Sequence, residues 1–567
     1  MAMPFFFLDR SITEFIPVSP SDISMIEYTP EITILPQGRL ADGVVSIRTV
    51  KPQGFLLRGS SAVINETGDP GPAIFADSTR SNVDRSGPVA NLRMSYGRRP
   101  FFIQAGLNTD LYHLTDEVTS SRMWSIYGAN KQPVVTIFAP HVRMLLETSR
   151  LEIDIRGGSA RKKDHLFSEF AGWEWPNRQR WTWLKTKGLI NTSSSNRIGV
   201  RASFDRFEIS NRSAKISLPG ELLLRESSGE LFVEHSLGAS TLEIAGGGRI
   251  NEVDQISTFG SHRESAVFAR LSLSVRASRT AWTTTGELSR ASGASSDDES
   301  TTINLASSLS QSLLNGANLR FKTHYSGGVR RNLWSMRELL SLGVSFGEWA
   351  DDVSFNTDRT SERIYEGAFD LSYPLSEFLS FQAGMSVRYS SGLTLPNRTI
   401  NQSFGVGPFL PSTTYINGRS GWVVSRSLGV LFRGSSSTSG RASYQFYHVS
   451  SNGDSVFWRH YTGFPRHRFS ASISSHALER LTFFGALRIT SRMHWPEYLT
   501  SDSGEIATTV EFEGTVRKSL FGPRMQVGIS FLNLADARVR THPAGVIQQF
   551  AVRLSLRMLL VATKDPS

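Results

Sequence analysis

The segment Val546–Leu560, VIQQFAVRLSLRMLL, indicates the fold class of the whole chain. Side chains of a β-strand point alternately to its two faces, so residues two apart share a face. One face of this segment is wholly apolar and comprises Phe550, Val552, Leu554, Leu556, Met558 and Leu560. The other face carries Arg553 and Arg557. A strand of this kind fits a soluble β-sandwich or a membrane barrel, and its recurrence along the chain distinguishes the two.

The same alternation recurs from about Gln53 onward in segments of about ten residues, the length of a tilted strand that crosses a bilayer. Examples are Ile198–Phe204, Val267–Arg276, Tyr365–Tyr373, Phe381–Tyr389, Val510–Arg517 and Met525–Phe531. At roughly 23 residues per strand and connection, the pattern predicts an all-β fold, a transmembrane antiparallel β-barrel of about 22 strands reaching Leu560. We expect Leu271, Leu273, Ile529, Leu554 and Leu556 to face lipid, and Arg270, Arg276, Arg553 and Arg557 to face the lumen.

The connections between these segments fall into two length classes. Tight turns rich in Gly, Asn and Pro are predicted at Tyr96–Pro100, Leu314–Ala317, Tyr373–Ser376 and Leu520–Pro523. Long polar loops are predicted at Ser289–Thr301 and Arg398–Arg419. Short turns that alternate with long loops are typical of outer-membrane barrels, whose periplasmic turns are short and whose extracellular loops are long.

Tryptophans cluster near predicted strand ends, where they could form an interfacial girdle or pack under a loop. The cluster comprises Trp173, Trp175, Trp181 and Trp183, and Trp422, Trp458 and Trp495 follow later in the chain. Because Trp181 and Trp183 share one strand face, we favour the girdle.

Composition excludes several classes of protein. The chain has no cysteine, so it has neither a disulfide framework nor a thiolate metal site. Its net charge of +10 comes from 61 basic and 51 acidic residues spread along every segment, which argues against nucleic-acid binding. In a barrel, arginine suits the polar lumen and the rim that faces anionic lipopolysaccharide.

The sequence contains no recognisable catalytic motif. We expect no enzyme activity, no cofactor and no metal site, because the standard metalloprotease, phosphate-loop and serine-hydrolase motifs are absent. Gly246–Gly248 lies in a strand-like run and is a poor phosphate cradle. His141, His324 and His476 are expected to face solvent or the lumen, and the acidic stretches at Asp297–Glu299 and Asp351–Asp352 are expected to be solvated loops. An outer-membrane enzyme therefore remains a hypothesis without a motif.

Two segments near the start of the chain are Asp22–Tyr28, DISMIEY, and Gly43–Thr49, GVVSIRT. They are similar to the middle segment and the last strand of the second half of the plug domain of TonB-dependent outer-membrane receptors, which residues 1–52 resemble. Near the other end, Pro465–Phe469 and Gly528–Leu534 resemble the entry to a late barrel strand and the run before the last extracellular loop. The resemblance implies two domains, a plug half at 1–52 and a transmembrane β-barrel at 53–567.

Some features of the family are not found in this sequence. The opening MAMPFFFLDR lacks the pattern of an export signal, since Asp9 ends a short apolar run. No TonB box and no first plug half precede Asp9, and Tyr28-Thr29-Pro30-Glu31 stands where the family has Arg-Gly-Pro. Val561–Ser567 follows the predicted last strand, where the family usually ends on an aromatic residue. TonB coupling, expected for the family, is therefore not inferred from this sequence.

The resemblance implies uptake of a scarce extracellular ligand, such as an iron–siderophore or cobalamin, across the cell outer membrane. The ligand would meet the plug apex at Leu35, Pro36, Gln37, Gly38 and Arg39 and the inner barrel wall, where inward arginines suit an anion. The partners implied are this small ligand, outer-membrane lipid and lipopolysaccharide, with the protein as a monomer and without nucleic acid. The alternative is a degenerate or truncated barrel without active transport, either a passive pore or a non-functional fragment.

Overall fold

The computed structural model describes most of the chain. The described residues are 23–35, 39–49, 54–69, 83–116, 134–168, 173–211, 220–255, 260–292, 299–313, 315–331, 359–401, 410–435, 437–451, 453, 457, 465–478, 480–494, 505–520, 524–535 and 547–563. No helix among these residues is long and apolar enough to span a membrane.

Twenty-six strands are formed within these ranges. In the first half they are β1 Ile23–Leu35, β2 Arg39–Thr49, β3 Gly54–Asp69, β4 Val83–Arg98, β5 Phe101–Asp116, β6 Val134–Glu147, β7 Leu151–Ser168, β8 Trp173–Asn191, β9 Asn196–Asn211, β10 Gly220–Leu237, β11 Ser240–Gln255, β12 Gly260–Arg276 and β13 Thr280–Ser292. In the second half they are β14 Glu299–Ser312, β15 Asn318–Arg331, β16 Arg359–Pro374, β17 Leu379–Asn401, β18 Leu410–Ser435, β19 Thr438–Ser450, β20 His467–Leu478, β21 Leu481–Thr490, β22 Met493–His494, β23 Glu505–Ile506, β24 Thr509–Ser519, β25 Met525–Leu532 and β26 Ile547–Thr563.

Twenty-two of these strands form one closed antiparallel barrel. Consecutive strands pair from β3 to β21, β21 pairs with β24, and the last strand, β26, pairs with β3 to close the wall. The predicted strand number and topology are confirmed. The last strand is longer than predicted, because Ala562 and Thr563 still pair with Leu56 and Phe55. Closure satisfies the backbone hydrogen bonds of every wall strand, which a bilayer requires.

The two faces of the wall differ as the alternation predicts. Leu271 and Leu554 on the outer face are 53% and 55% exposed, whereas Arg270 on the inner face is 6% exposed. Leu554 lies opposite both Ile529 and Val63, so the apolar outer face continues across the closing seam. The other residues predicted to face lipid are Leu273, Ile529 and Leu556, and the others predicted to face the lumen are Arg276, Arg553 and Arg557. They alternate in the same way along β12, β25 and β26, which confirms the predicted faces.

The connections alternate in length around the barrel. One end has tight turns, as at Arg99–Pro100, between Leu313 and Ala317, and from Leu375 to Phe378; in the second of these Gly316 adopts a φ of 78°. Most connections at the opposite end are longer, although β7 and β8, and β11 and β12, leave only four residues between them. Two predicted loops are shorter than expected, because β13 and β14 leave only 293–298 between them and β17 and β18 leave only 402–409. Polar residues there continue the strand ladders, since hydrogen bonding between strands does not need an apolar side chain.

The girdle predicted from Trp181 and Trp183 is wrong. Both indoles are buried on the inner face, with ring centroids 5.9 Å apart, and Trp181 Nε1 donates to Asp205 Oδ1 at 3.2 Å. Gly158 lies opposite Trp183 and leaves room for its ring, which would be 2.9 Å from a Cβ at that position. The side chains of Trp173 and Trp175, and residues Trp458 and Trp495, lie outside what the structure describes.

An aromatic row does lie on the outer face, on different strands. It consists of Tyr325, Tyr365, Tyr389 and Trp422, which lie opposite one another on β15 to β18. Successive ring centroids are 5.0, 6.5 and 4.7 Å apart. Of the predicted girdle tryptophans, Trp422 is thus part of an outward aromatic row of the kind that lies at a membrane interface.

Strands β1 and β2 form a separate antiparallel hairpin. Tyr28 lies opposite Val45, and the ladder ends at the pair Leu35 and Arg39. The last plug strand implied at Gly43–Thr49 is present as part of β2. The hairpin does not join the barrel ladder, but Cα atoms of β1 come within 8 Å of β14 and β16.

Candidate ligand-binding site

The predicted apex lies at the end of the β1–β2 hairpin. Leu35 and Arg39 form its last pair, so residues 36–38 connect the two strands. Pro36, Gln37 and Gly38 themselves lie outside the described residues, as do the side chains of Leu35 and Arg39. The part of the candidate site for which side chains are described is therefore the inner barrel wall.

A network of four charged side chains lies on the inner wall across β9 to β12. Arg270 donates to Glu230 at 3.1 and 2.7 Å and to Glu243 at 2.8 Å. Arg201 donates to Glu243 at 3.2 Å and also to Glu230, whose side chain is fully buried. Two arginines and two glutamates balance in charge, so this network stabilises the wall more readily than it attracts an ion.

Two glycines make room for this network. The ring of Phe232 occupies the space in which a Cβ of Gly199 would lie, and the Arg201 guanidinium stacks 3.8 Å from the centroid of that ring. A Cβ at Gly247 would overlap the backbone of Gly229. Gly247 belongs to the glycine run at 246–248, which lies within β11 as the sequence predicts. Its role here is to let neighbouring strands and side chains approach closely.

Other inner-wall arginines are also paired with carboxylates. Arg143 and Arg156 both bind Asp154, with shortest distances of 2.9 and 2.6 Å. Arg388 on β17 binds Glu366 on β16 at 3.1 Å. Each of these contacts joins side chains on one face of the sheet. Arg388 and Glu366 balance in charge, whereas Arg143 and Arg156 share the single carboxylate of Asp154.

The inner wall beside the closing seam is different, because three arginines approach one another there. Arg557 on β26 lies opposite Ser60, two residues from Arg58 on β3. Arg517 on β24 lies opposite Gly528 on β25, which in turn lies opposite Ser555, two residues from Arg557. The charges of Arg58 and Arg517 act on the Arg557 guanidinium. Within the described part of the chain, none of the three forms an ion pair with a carboxylate. We call Arg58, Arg517 and Arg557 the seam cluster. The three arginines lie toward the tight-turn ends of β3, β24 and β26, so an anion that bound to their positive charge would lie in that half of the lumen.

The histidines lie where the sequence predicts. His141 and His324 are buried on the inner wall, and His476 is exposed and lies 2.9 Å from the Thr482 hydroxyl. The described residues contain no group of three or more histidine and acidic side chains that could hold a metal ion. Of the acidic stretches, Glu299 begins β14 instead of lying in a loop, whereas Asp297, Asp298, Asp351 and Asp352 lie outside the described residues.

Sequence reasoning missed both the pairing of the wall arginines and the seam cluster. The alternation shows which side chains share a face of one strand, but Arg58 and Arg557 are about 500 residues apart in the chain and meet only because the barrel closes. Cross-strand register, which the sequence pattern leaves open, determines which charges meet.

The comparisons with known proteins concern the fold. No family model matches the sequence, and no curated protein matches it. Among solved structures, copper transporter OprC is similar with a TM-score of 0.67 and 10% identity, over 93% of this chain and 84% of that chain. The siderophore receptor PirA from Pseudomonas aeruginosa gives a TM-score of 0.62 and 12% identity, over 92% and 83% of the two chains. The ferric citrate transporter FecA in its unliganded form gives 0.63 and 11%, over 96% and 84%. At these identities the likeness establishes architecture, and the chain therefore has the 22-stranded barrel fold of the TonB-dependent receptors.

Proposed function

We propose that this protein is an outer-membrane receptor of the TonB-dependent class that takes up a scarce, small, anionic ligand such as a ferric chelate. The observation that carries the proposal is the closed 22-stranded barrel with a separate hairpin close to β14 and β16. A barrel of this size encloses a lumen wide enough for solutes, and such lumens are filled by a plug in outer-membrane transporters. The solved structures with this fold are transporters and receptors by their names, which favours transport over catalysis.

We assign residues 1–52 to the plug and 53–567 to the barrel. The β1–β2 hairpin pairs with itself and leaves the barrel ladder closed, as a plug element does. In this assignment residues 35–39 form the part of the plug that meets ligand. The approach of β1 to two wall strands supports a position against the wall.

We propose that the barrel lies in the outer membrane as a monomer. Its outer face is rich in exposed large apolar side chains, including Leu231 at 68% and Val267 at 63%, which favours contact with lipid. The tight-turn end would face the periplasm, and the longer connections would face outward toward lipopolysaccharide.

The charge of the wall favours an anionic ligand. Arg201, Arg270 and Arg388 are balanced by carboxylates, whereas the seam cluster has no ion-pair partner among the described residues. Arginine binds carboxylate and phosphate groups by paired hydrogen bonds, so a chelate that presents carboxylates would suit it. The metal ion in such a chelate would be cargo.

Uptake of a labelled ferric chelate tests this proposal. The full chain, exported to the outer membrane by a fused signal peptide, is placed in a Gram-negative strain that lacks its own receptors for ferric citrate and siderophores. We expect cells that carry the protein to accumulate radiolabelled iron from ferric citrate or a catecholate chelate, and cells with the empty vector to accumulate none. Equal accumulation in both strains, with the protein folded in the outer membrane, would contradict the proposal.

A passive pore is the second candidate function. It is favoured because the hairpin, the part of residues 1–52 that the structure describes, is small relative to the lumen of a 22-stranded barrel. Repeating the uptake measurement in a strain that lacks TonB separates the candidates. A receptor loses uptake in that strain, whereas a pore keeps it.

A further inference from the structure

The inner wall of the barrel has two unlike halves. The ionisable side chains that are buried within the described wall, such as Glu230 and Arg270, all lie on β4 to β16. Inward side chains further along the chain are more accessible, and Arg441 on β19 and Arg557 on β26 are exposed. We call the inner face of β19, β20, β21, β24, β25, β26 and β3 the open wall.

Depth within the barrel does not account for this difference. Arg270 and Arg557 each lie six residues from the tight-turn end of their strands, β12 and β26, yet Arg270 is 6% exposed whereas Arg557 is exposed. Glu230 and Gln445 each lie seven residues from that end of β10 and β19, and only Gln445 is exposed. Side chains at equal depth are therefore covered on one half of the wall and accessible on the other.

The size of the inward side chains differs in the same sense. On the half formed by β4 to β16 several large rings are buried on the inner face, including Trp181, Trp183, Phe232 and Phe268, and strand β1 of the hairpin lies near β14 and β16. On the open wall Ser443 lies opposite Ser470 with their hydroxyls 2.7 Å apart, and the Thr515 and Ser530 hydroxyls are 3.0 Å apart. Short side chains extend less into the lumen, so the open wall leaves more room for water and solutes.

Charge on the open wall is positive in its tight-turn half. Arg441 lies three residues from the start of β19, and the seam cluster lies on β3, β24 and β26. The carboxylates whose side chains are described on this wall are Glu511 and Glu513, and both lie at the other end, near the start of β24. Glu511 binds Arg488 at 2.9 Å. Neither Arg441 nor the seam cluster forms an ion pair with a described carboxylate.

We propose that small anions cross the barrel along the open wall, and that Arg441, Arg517 and Arg557 make this passage selective for anions over cations. Arginine and lysine side chains that line a pore favour anions, because their positive potential raises the local anion concentration. The opposite half, where Glu230 and Arg270 belong to a buried and charge-balanced network, offers no comparable row. The inference deepens the proposed function by naming the path and the charge of the solute, and it applies to a receptor and a passive pore alike.

Cysteine modification tests the path, because the chain contains no cysteine of its own. Ser443→Cys and Ser530→Cys each place one thiol on the open wall. Thr283→Cys is the matched control, since Thr283 is exposed on the inner face of β13 in the opposite half. Current through the refolded full chain in planar bilayers is recorded before and after addition of sulfonatoethyl methanethiosulfonate, which adds a negative charge to an accessible thiol. Mass spectrometry verifies the modification.

We expect modification to lower the current by roughly half at Ser443→Cys and Ser530→Cys, and by less than about a tenth at Thr283→Cys. An equal loss at all three positions would overturn the assignment of the path to one half of the wall. Modified open-wall thiols with an unchanged current, or a folded barrel without current, would also overturn it.

Ion selectivity tests the role of the arginines. In a gradient of potassium chloride, the reversal potential of the wild type should show a preference for chloride of at least about threefold, and Arg441→Gln/Arg517→Gln/Arg557→Gln should lose most of it. The control Arg99→Gln/Arg150→Gln/Arg279→Gln removes the same charge from exposed turns and should keep the preference. A wild type that prefers potassium, or an unchanged reversal potential in the first variant, would overturn the proposal.

These outcomes are distinguishable from a failure of the proposed uptake. Current and selectivity require neither a chelate nor TonB, so cells that fail to take up chelate would leave the path assignment standing. A protein that takes up chelate but carries no anion current along the open wall would lose the path assignment alone.

Discussion

Glu230 on β10 and Arg270 on β12 are joined by hydrogen bonds of 3.1 and 2.7 Å although β11 runs between their strands. The two side chains can meet because the residues of β11 that lie opposite them are Gly247 and Ala245. The buried carboxylate of Glu230 thereby binds the guanidinium groups of both Arg270 and Arg201.

Removal of this carboxylate is expected to destabilise the barrel. Glu230→Ala leaves Arg201 and Arg270 with one carboxylate between them, and breaking a buried ion pair on one side typically costs about 3–5 kcal/mol. The measurement is the free energy of unfolding in denaturant for the barrel refolded into lipid vesicles. Glu234→Ala, which removes the partially exposed pair with Arg197, serves as the control and should cost at most about 1 kcal/mol. Equal losses in the two variants would contradict a special role for the buried network.

Gly199 is expected to tolerate no side chain while Phe232 is present. A Cβ at this position would overlap the Phe232 ring, so Gly199→Ala should cost about 1–3 kcal/mol of unfolding free energy through overpacking. In the background Phe232→Ala the same change should cost much less, and a double-mutant cycle measures the difference. Gly367→Ala is the matched control, because a Cβ there meets open space. The packing assignment fails if Gly199→Ala costs the same in both backgrounds.

The two faces of β26 should respond oppositely to a change of charge. Leu556→Arg places a charge on the lipid face, which costs about 2–4 kcal/mol at mid-bilayer, whereas Arg557→Leu removes one from the lumen. We therefore expect Leu556→Arg to impair refolding into bilayers far more than Arg557→Leu. A lipid refolding titration measures this, and equal effects of the two changes would refute the facing of the strand.

The refolded chain is expected to conduct ions. The β1–β2 hairpin is small for the lumen of a 22-stranded barrel, and the charged inner wall should hold water. Planar-bilayer recordings test this expectation. A folded barrel without measurable conductance would mean that the segments preceding the barrel seal it, and the passive-pore alternative would have to be withdrawn.

The fold was largely predictable from the sequence because a barrel wall is a repeated local pattern. Alternation along β12 and β26 assigned Leu271 and Leu554 to the lipid face, and segments near both chain ends indicated the receptor fold. The orientation of Trp181 and Trp183 was not predictable, because an aromatic side chain fits either face of a barrel strand. The small residues Gly158 and Ala160 on the neighbouring strand lie opposite Trp183 and Trp181 and leave room for indoles inside, and that pairing is set by register.

The candidate site was less predictable than the wall. The predicted apex at residues 35–39 stays a prediction, and the paired and unpaired arginines of the lumen could not be told apart from the sequence. Arg557 was expected to face the lumen, but its neighbours Arg58 and Arg517 come from distant parts of the chain. Only barrel closure brings these three charges together.

Binding of ferric citrate and of a ferric catecholate chelate to the folded full chain tests the central claim most directly. Isothermal titration would compare the wild type with the seam variant Arg58→Gln/Arg517→Gln/Arg557→Gln and with the control Arg99→Gln/Arg150→Gln/Arg279→Gln. An anion receptor should bind at least one chelate saturably, lose about tenfold or more of its affinity in the seam variant, and keep its affinity in the control. Absence of binding of either chelate to the folded wild type, or equal affinity in the seam variant, would contradict the account.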